Sequence, residues 1–503
     1  MPPRIASWSA GALALGAVAL GCESGGQGGG NGPLRVSVTE STVFSTTPNT
    51  RVDLVFVIDN WANATLYQEK LGDQIPAFVR VLQSQPHPLD LHVAIVSPDM
   101  GAPSDATSSI GCSPAGDDGA FRSAPRGTCT TSGLESGATY LSTGNGVSNF
   151  SGDLASTLEC ISMLGVVGCG FDQPLAALDR ALGADGSPPP AANAGFLRDD
   201  AYLAIVFLAD QDDCSAPRNT QLFSLEVGGS NQQNIMNALG PVDHYRCNRY
   251  GHLCKDPSGE TVMPPVVPPS GATTLDLADC TSNDTPSGLL TPVSQFITDI
   301  QALKPDPDNQ IFVSAIIGPT TPYGVSWLPA EGRQNVQPGE LWPQVEHSCG
   351  IAGDDEVNPQ ATQLVTDGSM ADPGVRLAQF VNSFRNNNLG SICDPSYLST
   401  MQAIASKVGA LPSPPCLTGA IQQTGNGLPD CAVTAAIVAT NGALTQATYQ
   451  NCALTGGAAP CWSLSPGTGT CGGQTVNIVE TTPSTNGTMT CAICAPGVSG
   501  PGC

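Results

Sequence analysis

The chain has 503 residues, of which 12% are charged, and it contains 57 glycines and 43 prolines. So few charged side chains exclude long solvated helices and coiled coils, whose surfaces need them. Aspartate and glutamate outnumber lysine and arginine by 43 to 18, which gives a net charge of −25. An acidic chain of this kind repels the phosphates of nucleic acids, so no nucleic acid partner is expected.

The first residues have the pattern of an export signal. Arg4 precedes an uncharged apolar stretch that ends in small residues before Cys22. Residues 18–22, VALGC, resemble a bacterial lipobox, in which the cysteine is diacylated. The resemblance predicts a signal peptide at 1–21, lipidation of Cys22, a flexible glycine-rich tether over 22–50, and membrane attachment through the lipid only. The resemblance also implies the outer membrane, on either face, because Glu23 and not an aspartate follows the cysteine. Cleavage after Ala19 without lipidation is the alternative.

Cysteine usage indicates an oxidising compartment. The sequence has 19 cysteines, so lipidation of Cys22 leaves an even number. Even sets suit disulfides, although spacing does not determine their pairing. Eight cysteines from Cys416 to Cys503 predict a separate cysteine-rich module over 412–503. The disulfide candidates before it are Cys112, Cys129, Cys160, Cys169, Cys214, Cys247, Cys254, Cys280, Cys349 and Cys393.

Four short apolar runs predict strands that are buried on both faces. They cover 52–58, 91–96, 202–208 and 311–317, and helical patterns lie between them. Alternating strands and helices predict an α/β fold over 51–411, with a doubly wound, mostly parallel sheet. Two stretches rich in proline, glycine and asparagine, at about 213–287 and 319–370, are predicted to be disulfide-braced insertions.

Proline positions predict where several helices begin. Thr291-Pro292, Asp372-Pro373 and Asp394-Pro395 each combine a capping residue with proline at the first helical position. Pro76 lies inside an apolar helical pattern over 71–82, where it is expected to kink or restart the helix.

Four blocks of sequence resemble a von Willebrand factor A (VWA) domain. They are VDLVFVIDNWAN, LHVAIVSPDMG, GCGFDQPLAALDRAL and AYLAIVFLADQDDCS. In their order they are similar to VWA-like lipoproteins of Gram-negative bacteria. The resemblance implies a Rossmann-like fold and a surface protein that mediates adhesion by binding a protein or a surface polymer, without catalysis.

The resemblance also implies a divalent cation site at the carboxyl ends of the strands. VWA domains hold the ion with a D-x-S-x-S motif, a Thr and a further Asp. Asp59 and Asp210 match the two aspartates, but Trp61 and Asn63 stand at the serine positions and the threonine is missing. An indole cannot ligate a cation, so the site is degenerate.

Three readings of these residues remain open. The favoured one is metal-free binding through a face that includes Trp61, Asp172 and Asp212. An alternative is metal-dependent adhesion, in which Mg²⁺ or another divalent cation uses a reduced set of Asp59, Asn63 and Asp210, with Asp172 or Asp212 as an optional further ligand. In the third, Asp59 caps a loop, Trp61 packs over the strand ends, and the Asp210–Asp213 segment is a solvated acidic turn.

One further pattern is typical of a zinc or thiol enzyme. His244, Cys247, His252 and Cys254 have ligand types at close spacing. In an exported chain, disulfide use of both cysteines is the favoured interpretation. The sequence also lacks the common hydrolase and metalloprotease motifs, so we expect no enzyme activity.

Overall fold

The structure is a computed structural model that describes residues 38–44, 49–61, 63–85, 88–102, 111–124, 129–144, 146–224, 236–329, 341–411, 416–417, 419–438, 444–466, 473–479 and 486–494. The predicted signal peptide, Cys22 and most of the predicted tether lie outside these residues. Within the tether range, residues 38–44 form a strand, so the prediction of a flexible segment over 22–50 is wrong there.

Ten α-helices are described within these ranges. They are α1 (Ala64–Gly72), α2 (Ile75–Gln83), α3 (Leu154–Ser162), α4 (Pro174–Leu182), α5 (Tyr245–Gly251), α6 (Val293–Gln301), α7 (Pro307–Gln310), α8 (Val375–Asn382), α9 (Leu398–Ala410) and α10 (Cys452–Thr455). The break between α1 and α2 lies just before Pro76, as its position predicts. In the described part of the chain, none of the helices is long and apolar enough to span a bilayer.

The strands of the first half are β1 (Val38–Phe44), β2 (Arg51–Ile58), β3 (Asp90–Val96), β4 (Leu141–Gly144), β5 (Val147–Ser148), β6 (Tyr202–Ala209), β7 (Met236–Asn237), β8 (Gly240–Pro241), β9 (His252–Lys255), β10 (Thr261–Val262) and β11 (Thr274–Ser282). Those of the second half are β12 (Ile311–Ile317), β13 (Tyr323–Pro329), β14 (Leu341–Glu346), β15 (Cys349–Ile351), β16 (Gln363–Val365), β17 (Asn386–Ser391), β18 (Cys416–Leu417), β19 (Cys431–Val438), β20 (Leu444–Asn451), β21 (Cys461–Pro466), β22 (Gln474–Val479) and β23 (Asn486–Ile493).

The four predicted strands lie side by side in a central sheet. Its order is β17-β12-β6-β2-β3-β4-β5, and the first five strands are parallel to one another. Strands β4 and β5 are antiparallel additions at one edge. Helices α1, α2, α3 and α9 cover one face, and α4, α6 and α8 cover the other. Because both faces are covered, these strands are nearly continuous apolar runs in the sequence.

The two predicted insertions combine to form a second sheet. Strands β9, β10 and β11 come from the first insertion and β13 and β14 from the second, in the order β10-β9-β11-β13-β14. Every pair in this sheet is antiparallel. A small core of its own lies beneath it, formed by Tyr245, Leu277, Tyr323, Val325, Trp327 and Val345.

The predicted fold class, a doubly wound and mostly parallel α/β sheet, is therefore wrong. Antiparallel pairing dominates the described strands outside the central sheet, and it also occurs at that sheet's own edge. The prediction treated the proline-rich stretches at 213–287 and 319–370 as insertions over a single sheet and missed the strands that they contain. Strand β11 alternates between exposed and partly buried residues, so it lacks the long apolar run that marks a central strand.

The described chain divides into two compact units. The large one covers 41–418 and 432–490, and the small one includes 419–431 and the described residues from 491 to 494. Towards its C-terminus the large unit contains strands in the order β19-β20-β21-β22-β18, antiparallel except for β20 with β21. The small unit is closed by the Cys431–Cys491 disulfide.

Seven disulfides are present among the described residues, which confirms the predicted disulfide use. All ten candidates before residue 412 are paired, as Cys112–Cys169, Cys129–Cys160, Cys214–Cys247, Cys254–Cys280 and Cys349–Cys393. The first two pairs are nested, a pairing that spacing alone did not determine. The other two are Cys431–Cys491 and Cys452–Cys461.

Candidate functional site at the strand ends

Asp59 and Asp210 follow neighbouring parallel strands and lie at the same edge of the central sheet. Ile58 of β2 is in register with Leu208 of β6, and the Asp59 backbone N–H donates to the Leu208 carbonyl at 2.9 Å. Asp172 reaches the same edge from the turn before α4. We call Asp59, Asp172 and Asp210 the carboxyl cluster. Asn63, by contrast, is exposed at the start of α1.

Burial controls the chemistry of the carboxyl cluster. Asp59 and Asp172 are 3% and 1% exposed. Burial raises the pKa of Asp172 well above its usual range, and the charges of Asp59 and Asp99 raise it further. Burial also raises the pKa of Asp210, and the nearby charge of Asp59 adds to the effect. The interaction between the two side chains raises the pKa of Asp210 and works against burial to lower that of Asp59.

Several oxygens of the cluster receive no hydrogen bond. Asp59 Oδ1 accepts from the backbone N–H of Trp61 at 2.8 Å. No N–H or O–H group of the described residues donates to Asp59 Oδ2 or to either carboxyl oxygen of Asp172. Buried polar atoms normally have a hydrogen-bond partner, so the lack of one for these three oxygens requires an explanation.

The cluster does not form a cation site in this arrangement. Carboxylate oxygens are suitable ligands for Mg²⁺, but a divalent ion needs about six ligands around one point. Across the described ranges, no three His, Cys, Asp or Glu side chains are arranged to hold a metal ion. Of the reduced set of Asp59, Asn63 and Asp210, Asp59 is buried while Asn63 is exposed.

Trp61 is partly buried, and its indole packs between two glycines. A Cβ atom at Gly111 would lie 2.6 Å from Trp61 Cζ3, and one at Gly170 would lie 3.1 Å from Cε2. Each glycine adjoins a cysteine of the Cys112–Cys169 disulfide. The disulfide therefore fixes the two backbone segments that hold the ring. This contact agrees with the reading in which Trp61 packs over the strand ends.

Asp212 was predicted to lie on the binding face, or else in a solvated turn, and both predictions are wrong. It is buried and accepts hydrogen bonds from His252 Nε2 at 2.8 Å and from the backbone N–H groups of Arg376 and Leu377. These donors hold the pKa of Asp212 below its usual range in spite of burial. Asp172 is likewise too deeply buried to touch a partner directly.

The alternative zinc or thiol site at His244, Cys247, His252 and Cys254 is not formed, and the favoured disulfide use of both cysteines is confirmed. Cys247 is bonded to Cys214 and Cys254 to Cys280, so neither offers a thiolate. His244 Nε2 lies 2.8 Å from the Asp212 carbonyl, and His252 is held between the Asp212 carboxylate and the Tyr323 hydroxyl. These histidines fasten the insertions to the strand ends.

Asp372, which the sequence indicated only as a helix cap, also contacts the histidines and the strand ends. It accepts from His347 Nδ1 at 2.9 Å and from Asn248 Nδ2 at 3.2 Å, and its backbone N–H donates to the Asp210 carbonyl. Hydrogen bonds from His244 and His347 lower the pKa of Asp372 against the effect of burial. Residues this far apart in the sequence carry no shared motif, so their contact could not be predicted.

A pair of exposed valines beside Trp61 was also missed. Val166 and Val167 are 40% and 74% exposed. The backbone N–H and carbonyl of Gly165 both hydrogen-bond to the Gln68 side chain, and the Gly168 N–H donates to the Asn60 carbonyl at 2.8 Å. We call residues 165–168 the valine tip. The only sequence pattern that could have indicated an exposed turn here is the pair of valines between two glycines, GVVG.

Comparisons with known proteins find distant structural likenesses. No family model matches the chain, and no curated protein matches it. The pilus adhesin SpaC from Lactobacillus rhamnosus GG, in an open conformation, aligns at a TM-score of 0.27 and 10% identity over 92% of this chain and 42% of its own. The adhesive tip pilin GBS104 from Group B Streptococcus agalactiae aligns at 0.24 and 11% identity, over 92% and 83%. The chain thus spans about two fifths of SpaC, and likenesses this weak carry no argument about fold or function.

Proposed function

We propose that the chain is an outer-membrane lipoprotein that is anchored through Cys22. Its strand-end face, the surface at the carboxyl ends of the central-sheet strands, binds a protein or a surface polymer without catalysis. The disulfides support export, because such bonds persist in oxidising compartments. The VWA resemblance of the four sequence blocks and the lipidation of Cys22 stay predictions.

The observation that carries the proposal is the concentration of disulfides at the carboxyl ends of the strands. Cys112–Cys169 joins the loop after β3 to the turn before α4, Cys214–Cys247 fixes the loop after β6, and Cys349–Cys393 fixes the loop after β17. Loops that carry binding residues gain affinity when they are ordered before the partner arrives. A cross-linked rim at this edge is what such a binding face needs.

The valine tip is the contact we expect a partner to use. It exposes two apolar side chains. Gly165 exchanges two hydrogen bonds with the Gln68 side chain, and the Gly168 N–H donates to the Asn60 carbonyl, so the tip is held at both ends. Burial of a valine side chain contributes roughly 1.5–3 kcal/mol, and every 1.4 kcal/mol changes affinity about tenfold. A rigid apolar projection can therefore supply much of the binding energy of a small contact.

The proposal is tested with full chain in which Cys22→Ala removes the lipid. The labelled protein is applied to arrays of purified envelope proteins and surface glycans, and binding isotherms are measured for any member that retains it. We expect saturable binding, and we expect Val166→Ser with Val167→Ser to weaken it about tenfold or more.

Val147→Ser is the matched control. Val147 is 72% exposed and lies on β5. Strand β5 pairs with β4, and β4 pairs with the amino-terminal half of β3, so Val147 lies at the end of the sheet opposite to the valine tip. Its replacement should leave binding unchanged. The proposal is wrong if no array member binds saturably, or if the valine-tip variant and the Val147 variant bind equally well.

A further inference from the structure

Exposed acidic side chains border the valine tip. Gln68 of α1 exchanges hydrogen bonds with Gly165 at one end of the tip, and Glu69 follows it in the helix as an exposed residue. One turn further along α1, a Cβ atom at Gly72 would lie 3.6 Å from Cγ of Glu159, which is also exposed. Because one helical turn rises about 5.4 Å, Glu159 lies close to the base of the tip.

These carboxylates have no basic side chain paired with them. Asp73, exposed at the C-cap of α1, completes the group, and we call Glu69, Asp73 and Glu159 the acidic rim. None of the ion pairs among the described residues includes a member of the rim. Lys70, the basic residue of α1, lies roughly 200° around the helix from the contact with the tip and is paired with Asp367 at 3.1 Å. The negative charge of the rim is therefore available to a partner.

We propose that the partner of the valine tip is a protein with a basic surface, on which lysine or arginine side chains surround an apolar pocket. The pocket takes Val166 and Val167, and the basic side chains lie opposite the acidic rim. Complementary charges of this kind orient two surfaces and accelerate their encounter. The net charge of −25 adds a long-range attraction for a basic partner.

An anionic surface polymer does not complement this surface. The rim repels carboxylate, phosphate and sulfate groups, and the net charge of the chain repels them at longer range. A hydrated polysaccharide chain also lacks an apolar pocket that could bury two valine side chains. Exposed apolar groups with a polar border are typical of contacts between proteins. Of the two partner classes in the proposed function, this surface favours the protein.

The inference rests on the proposed function, because it specifies the partner of the same strand-end face. The two can fail separately. The arrays test whether an envelope component binds at all, whereas synthetic peptides test which charge the valine tip and the acidic rim select.

The test uses the full chain carrying Cys22→Ala and two amphipathic peptides of about 18 residues, or roughly five helical turns. Both peptides present leucine and tryptophan on one face, and the other face carries lysine in one peptide and glutamate in the other. Fluorescence anisotropy at about 100 mM NaCl gives the dissociation constants. We expect saturable binding of the lysine peptide at one site, and binding of the glutamate peptide that is at least about tenfold weaker.

Two variants of the surface show where the lysine peptide binds. Glu69→Gln, Asp73→Asn and Glu159→Gln together should weaken its binding about tenfold, because three carboxylates opposite its lysines are removed. Val166→Ser with Val167→Ser should weaken it by a similar factor, because the apolar contact is lost.

A matched control separates the acidic rim from the net charge of the whole chain. Asp199→Asn, Glu260→Gln and Asp308→Asn also remove three exposed carboxylates. Asp199 and Asp308 precede β6 and β12, at the edge of the central sheet opposite to the valine tip, and Glu260 lies between β9 and β10. This triple variant should change the affinity for the lysine peptide by less than about twofold.

Three results would overturn the inference. Equal weakening by the two triple variants would mean that the peptide responds only to the net charge. A glutamate peptide that binds as tightly as the lysine peptide would mean that the surface does not select a basic partner. Saturable binding of alginate, an anionic polysaccharide, that is lost when Val166 and Val167 are replaced by serine would assign the tip to a polymer.

Discussion

At the scale of single residues, several carboxyl groups are buried without a hydrogen-bond partner, which raises their pKa. Asp179 of α4 is the simplest case. It is 3% exposed, and its Oδ1 has no hydrogen-bond partner among the described residues. Burial raises the pKa of Asp179 to about 8, and the negative charges of Asp299 and Asp185 contribute. At neutral pH this side chain is thus largely a neutral acid inside the helix layer.

We expect Asp179→Asn to stabilise the protein at alkaline pH. The folded-state pKa lies above the unfolded value of 3.8, so the protonated acid contributes stability that is complete below about pH 4 and is lost as the pH rises towards 8. The amide cannot ionise and keeps the shape of the acid. Thermal melts at pH 8.5 should show a melting temperature higher by a few degrees, at about 1 °C for each kcal/mol in a chain of this length.

Exposed Asp73 provides the control for this prediction. Asp73→Asn changes the net charge by the same amount without a buried site, so its melting temperature should follow wild type at every pH. The advantage of Asp179→Asn should shrink as the pH falls to 4. An Asp179→Asn protein that melts below wild type at pH 8.5 would contradict the assignment of a buried, unpaired acid.

The sequence predicted some residues of the site and missed others for a clear reason. Asp59 and Asp210 were recognisable because each directly follows a long apolar run that could only be a buried strand. Asp212 was misread as exposed, because its donors, His252 and the backbone at 376–377, are distant in sequence. Exposure of the valine tip depends on Gln68 and Asn60, which no local pattern connects with it.

At the scale of elements, the carboxylates of the acidic turn after β6 cap the N-termini of two helices. Asp212 accepts from the first N–H groups of α8, and Asp213 accepts from the Leu175 N–H at the start of α4. Asp213 is also paired with Arg376 at 2.9 Å, and both side chains are fully buried. Carboxylates at helix N-termini are favourable for the helix dipole. This turn therefore joins α4 and α8 to the strand between them.

Asp213→Ala should destabilise the protein by about 3–5 kcal/mol, because it leaves the buried Arg376 guanidinium without its counter-ion. Urea unfolding followed by circular dichroism gives the change in free energy. A double variant, Asp213→Ala with Arg376→Met, removes both charges and should regain a substantial part of the loss. Equal losses in the single and double variants would show that the cap on α4, and not the ion pair, carries the effect.

Helix boundaries and the second sheet mark the limit of local prediction. The pairs Thr291-Pro292, Asp372-Pro373 and Asp394-Pro395 lie near three real helix starts, but the helices begin at Val293, Val375 and Leu398. For α6 the capping carboxylate is Asp284, which accepts from Val293 and Ser294. Distant caps, like the pairing of β11 with β13, depend on tertiary contacts and leave no periodic signal.

At the scale of the whole molecule, the net charge of −25 implies strong self-repulsion. Few basic groups offset it, and some are already used inside the fold, as Arg198 is by Asp53 and Asp90. Counter-ions in solution are therefore expected to contribute measurably to stability.

Raising sodium chloride from about 10 to about 150 mM at pH 8 should increase the melting temperature, since the screening length falls from roughly 30 to roughly 8 Å. Differential scanning calorimetry measures the change. Sucrose at matched osmolarity, which does not screen charge, should give a smaller rise. If the melting temperature is constant or falls with salt, the repulsion is already neutralised locally.

For a chain exported as we propose, the order of strands in the central sheet also determines how it must fold. Strand β2 lies between β3 and β6, although about 140 residues separate the end of β2 from the start of β6. A polypeptide that emerges N-terminus first thus presents one side of β2 unpaired until β6 has crossed the membrane, and unpaired strand edges promote aggregation. We expect the nascent protein to depend on a periplasmic holding chaperone during that interval.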